Sequence, residues 1–554
     1  MPFVYFIVMV GVLVFVHELG HFLWAKLFGV RVLRFSLGFG PRIAGFHHGG
    51  TEYVLSALPL GGYVRMLGEN PRDEVGARDH QSSLAHKSIF RRVVITVGGP
   101  LMSLVFPIGL YFVVFLGDTQ MTPASVGVVF PNRPAGDKLL AGDRIVSIDG
   151  DEIETFYDLT RIVERSAGKP LRFGVERQGE RFEETITPAA DVKEMPLEVE
   201  QRVGRIGIVP QHPQAVIGVT SPTSPAAAAR LRTFDVVTAA AGRPTERFID
   251  FERVLSRNTG TLVPLSYLRP LPVPNALGGL CELDVYEPRV AALTPEPGQG
   301  DALARAGLES ADLYVSHVAV GSPEHHIGLL PGDRLLELDG KPIAMWPLLL
   351  EDLRAGRGAE HTLRWRRGAE THEARFALEH EHGVSEHGQG YDRYLVGIRN
   401  WMPARADAPV ANPHPITYAA REAVRATADV IDLTLTSILR LLQGRLSIKS
   451  IGGPLTIFDV AGTAARQGAL NYLTLMAFIS INLGLINLLP IPLLDGGHLL
   501  FLLYEAVVRR PLSLKVREYA HIAGLLMLLA IMILAFKNDI ERQWPQIVDD
   551  LTAE

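Results

Sequence analysis

Apolar residues run almost unbroken through four stretches of the chain, at about 3 to 26, 93 to 116, 471 to 489 and 520 to 536. Stretches of this kind predict helices that cross a hydrocarbon core of roughly 30 Å, although the last is short for the task. Between the second and third, from about 117 to 415, the pattern changes to brief alternations of apolar and polar residues punctuated by proline and glycine, which predicts strands and turns. The expected architecture is a membrane protein with an α-helical four-span core and a large α+β insertion.

Charge orients this arrangement. Ten lysines and arginines from Lys26 to Arg92, Arg72 and Arg78 among them, fall between the first two spans, and Arg509, Arg510, Lys515 and Arg517 fall between the last two. By the positive-inside rule both connections face the cytoplasm, which leaves the termini and the insertion on the other side. A cleaved leader would need a basic start, a short apolar run and a small-residue cleavage site; the start MPFVYF and the continuing apolar run offer none of these.

The insertion contains a repeat. AGDRIVSIDGDEI (141 to 153), TFDVVTAAAGRPT (233 to 245) and PGDRLLELDGKPI (331 to 343) each place an aspartate seven residues before a glycine, at Asp143, Asp235 and Asp333. Three copies predict three homologous modules, expected at 124–200, 205–295 and 305–385. The middle copy departs most, with Phe234 in place of glycine and Ala241 in place of aspartate, and is expected to be degenerate. Residues 410–470 read as an amphipathic helix and linker. The remaining bounds are 1–116 and 471–554 for the two membrane segments.

At 554 residues and 47% hydrophobic, the chain suits a mixed membrane and soluble protein, and a net charge of -6 gives no sign of nucleic-acid binding. Its single cysteine, Cys281, excludes an internal disulfide and a cysteine-rich zinc site but leaves the compartment undecided.

The chemistry lies in VFVHELGHFLW, residues 14 to 24. A charged group at the centre of a membrane helix costs roughly 2.5 to 3.5 kcal/mol on insertion scales, so polar residues kept there are functional candidates. His17 and His21 are four residues apart on one helix face, the spacing that presents two imidazoles to a single zinc ion and leaves the Glu18 carboxylate beside the remaining coordination position, where water binds. A third ligand is needed. NLLPIPLLDGGHLL (487 to 500) supplies Asp495 at a point where prolines and glycines break the helix, and His498 competes for the same role.

HELGH in the first span together with NLLPIPLLDGGH in the third resembles the site-2 protease family of intramembrane zinc metalloproteases, and modules placed between spans two and three resemble its RseP-like bacterial branch, where they are PDZ domains. The resemblance implies Zn2+ held by His17, His21 and Asp495, with Glu18 as base. It implies substrate contacts at Asn482 and Asn487, and at Gly61, Gly62 and Tyr63 of YVLSALPLGGYVRM (53 to 66), a membrane-associated β-hairpin. Implied partners are membrane lipid, single-span membrane proteins already cut once, such as anti-sigma factors or signal-peptide remnants, and peptide C-termini or extended segments at the PDZ-like modules. The implied location is the bacterial cytoplasmic membrane. Ser103 stands where the family usually has asparagine, which predicts that the bond made by that amide is weak or absent. A catalytically inactive, membrane-tethered scaffold or chaperone would explain the modules equally well but not Glu18, and a metal transporter would explain the ligands but not the repeats.

Overall fold

The computed structural model describes residues 2–69, 76, 79–195, 199–258, 260–271, 285–298, 300–384, 390–444 and 446–552. Cys281, Arg72 and Arg78 lie outside the described residues. The chain divides into two compact units, one made of Met1–Thr119, Val384–Gln389 and His414–Glu554, the other of Gln120–Gly383 and Gly390–Pro413. Among the described residues four helices are long and apolar enough to cross a membrane: Phe3–Leu27, Ile89–Leu116, Ala469–Asn487 and Leu514–Glu541. They match the four apolar stretches.

The first unit starts with helix α1 (Pro2–Leu27), whose sequence is apolar on nearly every face apart from the cluster at residues 17 to 21. Strands β1 (Val32–His48) and β2 (Thr51–Met66) then pair antiparallel and bend, so that Phe35 faces Val64 across one edge and Tyr53 across the other. The near part of this sheet buries Val32, Phe35, Val64 and Met66 against Ala25 and Ile95. Its far end leaves Phe39, Ile43, Phe46 and Leu58 between 45% and 67% exposed. Helix α2 (Ile89–Leu116) follows, with Pro100 and Pro107 inside it.

The second unit holds three copies of one design. The first copy comprises β3 (Arg144–Ile148), β4 (Asp151–Glu152), α3 (Phe156–Glu164), β5 (Leu171–Arg177) and β6 (Glu180–Ile186). The second comprises β7 (Val236–Ala240), β8 (Arg243–Pro244), α4 (Phe248–Arg257), β9 (Val263–Leu271) and β10 (Val285–Leu293), and the third β11 (Arg334–Leu338), β12 (Lys341–Pro342), α5 (Trp346–Ala355), β13 (Glu360–Arg367) and β14 (Glu370–Ala377). Strand orders are β4-β3-β5-β6, β8-β7-β9-β10 and β12-β11-β13-β14. Each copy has its own core, built around Phe173, Phe251 and Trp365 respectively.

The repeated aspartate does the same thing in all three. Asp143, Asp235 and Asp333 accept the backbone N–H three residues earlier and pair with Arg177, Arg269 and Arg367, each through Nε and Nη2 at 2.6 to 2.8 Å. The same guanidinium also donates to a turn carbonyl, so the pair ties the long strand of each sheet to the turn that enters it. The middle pair is the most deeply buried, with side chains 1% and 8% exposed. Removing one partner of a buried pair costs about 3 to 5 kcal/mol, because the other charge stays behind. Asp235→Ala is therefore expected to unfold the second copy selectively, seen as fast amide exchange across 215–310 with the other copies protected. Uniform protection would show that the pair carries no such load.

The middle copy keeps the backbone of its neighbours despite its divergent sequence. Phe234 holds φ 75° where Gly142 and Gly332 hold 91° and 94°, and Ala241 holds 49° where Asp149 and Asp339 hold 51° and 52°. A side chain in this left-handed region costs roughly 1 to 2 kcal/mol, and Phe234 offsets it by packing against a cluster that includes Val236 and Tyr314. In the outer copies the Asp149 and Asp339 carboxylates accept the N–H of Arg172 and Thr362. Ala241 has no carboxylate, and it faces Pro264, which has no N–H to satisfy.

Each copy is closed by a short strand pair whose second strand lies past its expected end: Val128–Val129 with Ile208–Val209, Ile217–Val219 with Leu308–Ser310, and His317–Val318 with Ile398–Arg399. The second strand of each pair, two or three residues long, carries too little pattern to be read from sequence. Gln120–Met121 pairs with Val410–Ala411, so the two ends of the insertion are hydrogen-bonded neighbours.

The chain re-enters the first unit as α6 (Pro415–Leu442), α7 (Pro454–Gln467), α8 (Ala469–Asn487), α9 (Asp495–Val508) and α10 (Leu514–Thr552). α6 is more than a linker element. Ala423, Val430 and Ile431 pack with Tyr111 of α2 and with Ala477 and Ile481 of α8. α7 has glycine at its N-cap, and Asp539 of α10 does the capping instead, accepting the N–H groups of Gly453, Leu455 and Thr456 and the Thr456 hydroxyl.

Candidate metal centre

Residues 17 and 21 stand one turn apart on α1, and α9 begins at Asp495, where the chain has turned back after Pro490 and Pro492. The turn needs glycine: a Cβ on Gly496 would run into the carbonyls of Leu488 and Leu489. It brings Oδ2 of Asp495 to 3.2 Å from Nε2 of His17 and 3.5 Å from Nε2 of His21. One donor atom from each residue lies within 4.8 Å of the others, and this is the one such group among the described residues.

These spacings fit a metal ion. Donors placed about 2.0 to 2.1 Å from a tetrahedral zinc lie about 3.3 Å from one another, and two imidazoles with one carboxylate form the donor set of catalytic sites that keep a fourth position for water. Both imidazoles are oriented from behind. His17 Nδ1 lies 3.0 Å from the Ser103 hydroxyl and His21 Nδ1 lies 2.9 Å from the Ile95 carbonyl, contacts that fix the rings with Nε2 towards Asp495. Gly99 leaves room for the His21 ring, which a Cβ there would strike.

Ser103, where a weaker or absent bond is expected in place of the asparagine's, makes its contact to His17 through the hydroxyl. It is fully buried, and its own carbonyl accepts the Ser480 hydroxyl. A shorter side chain than asparagine reaches His17 because α2 packs closely on α1 at this level. Sequence reasoning also missed the pair between Arg92 of α2 and Glu505 of α9, joined by two hydrogen bonds, which holds the helix carrying Asp495 against α2.

The other expected residues divide. Glu18 lies beside β2 near the backbone N–H of Val64, and a Cβ on Gly62 would come within 3.3 Å of the Glu18 side chain. Gly61 and Tyr63 serve the sheet instead, Gly61 against the Phe39 ring and Tyr63 stacked on that ring at 6.1 Å. Asn487 places its amide nitrogen 3.5 Å from His17 Nε2. The Asn482 amide is engaged elsewhere, accepting the Thr434 hydroxyl of α6 and donating to the Phe478 carbonyl. His498 faces away, with its ring 5.6 Å from that of His521 and 6.1 Å from that of Phe501.

The profile of peptidase family M50 matches residues 5–531. A Neisseria meningitidis protein named as a zinc metalloprotease is 30% identical over 542 residues, covering 97% of this chain and 98% of its own. The regulator of sigma-E protease RseP of Escherichia coli is 28% identical over 547 residues, again 97% of this chain and 98% of its own.

Proposed function

Because the chain belongs to peptidase family M50 and is a zinc-dependent metalloendopeptidase of the membrane, we propose that it cleaves single-span proteins within or beside their membrane segment, with His17, His21 and Asp495 as zinc ligands and Glu18 as general base. The observation that carries this reading is the meeting of those three donors where α1, a helix of membrane-spanning length that also carries Glu18, faces the start of α9. Zinc, when bound, polarises the scissile carbonyl and lowers the pKa of water towards about 7. Glu18 takes the proton of the attacking water on its carboxylate and delivers it to the leaving nitrogen. The packing at Gly62 holds that carboxylate in place.

A helical substrate hides its peptide bonds and must unwind before attack. The 62–66 edge of β2 beside Glu18 offers the unwound strand hydrogen-bonding partners, and the exposed apolar end of the sheet suits lipid. Asn487 is the better placed of the two asparagines to meet substrate. The metal lies on the cytoplasmic side and the insertion outside a bacterial cytoplasmic membrane, a reading that the basic connections support.

The three copies are PDZ-like modules that bind extended segments or new C-termini and act as a filter for substrates already cut once. Since the ends of the insertion pair with each other, residues 122–409 can be replaced by a short glycine-serine link without opening the first unit. The shortened protein, checked for zinc, is expected to cleave trimmed and untrimmed substrate at similar rates, where the intact protein prefers the trimmed form by roughly tenfold or more, the equivalent of about 1.4 kcal/mol. Retained discrimination would remove the filter from the modules.

A further inference from the structure

One glycine has the same place in all three copies and a different bonding partner in each. Gly207, Gly307 and Gly397 stand immediately before the second strand of the closing pair, and the carbonyl of each accepts the N–H of the residue that follows the first strand, Phe130, Thr220 and Ala319 respectively. A Cβ on these glycines would strike Arg133, Ser224 and Ser322, again at matching points of the three copies.

The N–H of the glycine separates the copies. In the second copy Gly307 donates to the Ala304 carbonyl at 3.0 Å, so the group is spent on backbone. In the third, Gly397 donates at 3.0 Å to Oε1 of Glu324, on the short helix Pro323–His326. In the first, among the described residues, the Gly207 N–H meets no acceptor, and the glycine is only partly buried.

Glu324 is an unusual residue for its position. It is 0% exposed, and its Oε2 is buried without a hydrogen-bond partner. An unpaired buried polar atom costs about 1 to 3 kcal/mol. The other copies avoid that cost with Ala135 and Ala226, each also 0% exposed and each two residues after the matching Arg133 or Ser224, as Glu324 is after Ser322. A changed backbone accompanies the carboxyl group: Gly207 and Gly307 hold φ 79° and 72°, whereas Gly397 lies outside the left-handed region. The design closes its strand pair with alanine there, so the carboxyl group is not needed for the fold. What it does is occupy the donor that the first copy leaves open.

We propose that Glu324 stands in for a ligand carboxylate, which closes the third copy to chain ends and leaves the first copy, at Gly207, as the module that takes them. The second copy is closed by its own backbone. Beside Gly207 stands an arginine where the other copies have serine. Arg133 and Arg205 share Asp191 at 3.9 and 3.4 Å, and Arg133 also reaches Glu351 of the third copy at 2.9 Å. A carboxylate arriving at Gly207 thus finds an open N–H and two guanidiniums nearby, and hydrogen bonds to an ionised acceptor are the strong ones. The assignment rests on the reading of the copies as modules that bind new C-termini, and the experiment separates the two.

Hydrogen exchange is followed on the full-length, zinc-loaded protein in lipid nanodiscs with a glycine-serine decapeptide ending in leucine, as the free acid and as the C-terminal amide. With the acid at about ten times its dissociation constant, covered amides exchange about tenfold more slowly. That slowing is expected across 204–210 and not across 394–400, and the amidated peptide is expected to produce neither. Glu324→Ala, which gives the third copy the alanine of the others, is expected to add slowing at 394–400. Glu324→Gln keeps an acceptor for the Gly397 N–H and is expected to leave the third copy closed. Protection of the β13 amides reports whether that copy is folded, and should Glu324→Ala unfold it, the wild-type contrast between the two segments still decides. Slowing at 394–400 in the wild type, or a folded Glu324→Ala without it, would overturn the role of Glu324 while the binding of chain ends stands. Slowing in neither segment of any form would remove chain ends from the modules, and the earlier reading would fail with it.

Discussion

Glu18→Gln is expected to lower cleavage of a tagged single-span test protein by about 100- to 10,000-fold, the range that general acid–base groups supply, while leaving one zinc per chain. Glutamine keeps the size of the side chain, so the packing at Gly62 survives. What it cannot do is take a proton from water at neutral pH. Activity in detergent or vesicles and zinc content by elemental analysis give the two readouts. Cleavage at the wild-type rate would remove the base from Glu18, and loss of zinc would make Glu18 a ligand.

Asp495→Asn is expected to act on the metal first and on activity as a result. An amide is a poor substitute for a carboxylate facing two imidazoles, so zinc binding should weaken by more than the ~10- to 100-fold that loss of an outer partner costs. Ser103→Ala, which removes only the hydroxyl behind His17, belongs inside that lower range. Chelator competition ranks the variants, with His498→Ala as the comparison that keeps its zinc because its ring packs on His521 and Phe501. Full zinc retention by Asp495→Asn, with loss in His498→Ala, would reverse the assignment.

The meeting of His17, His21 and Asp495 was legible because the signals for it are local. Two histidines four apart share a helix face whatever surrounds them, and an aspartate after Pro490 and Pro492 marks a broken helix at membrane depth. Ser103 and Arg92 were not legible, because their roles depend on how α2 registers against α1 and α9, and no spacing along the chain encodes that. The repeated aspartates stood out, but their arginines, on the third strand of each copy, did not. Residues 410–470 read as an amphipathic helix and linker, and α6 lies within them; that its apolar face meets α2 and α8 through Ala423, Val430 and Ile431 depends on packing that the sequence pattern does not encode. Asn482 had the right residue type in the right helix, and its amide is bonded to Thr434 of α6.

The pairing of Gln120–Met121 with Val410–Ala411 also bears on the order in which the enzyme is made. The histidines of α1 leave the ribosome roughly 470 residues before Asp495, which at about 5 to 20 residues per second is a delay of roughly 25 to 95 seconds. An unstructured connection of that length would have to find its ends by diffusion. A folded insertion whose ends already touch closes the circuit beforehand, so that joining the two membrane halves costs little more chain entropy than forming a tight turn. During the delay the chain carries histidines without their third partner. On the proposed assignment of the ligands, competence to cut therefore arrives only with Asp495 at the start of α9, and a nascent chain stalled before it is a protease that has not yet been switched on.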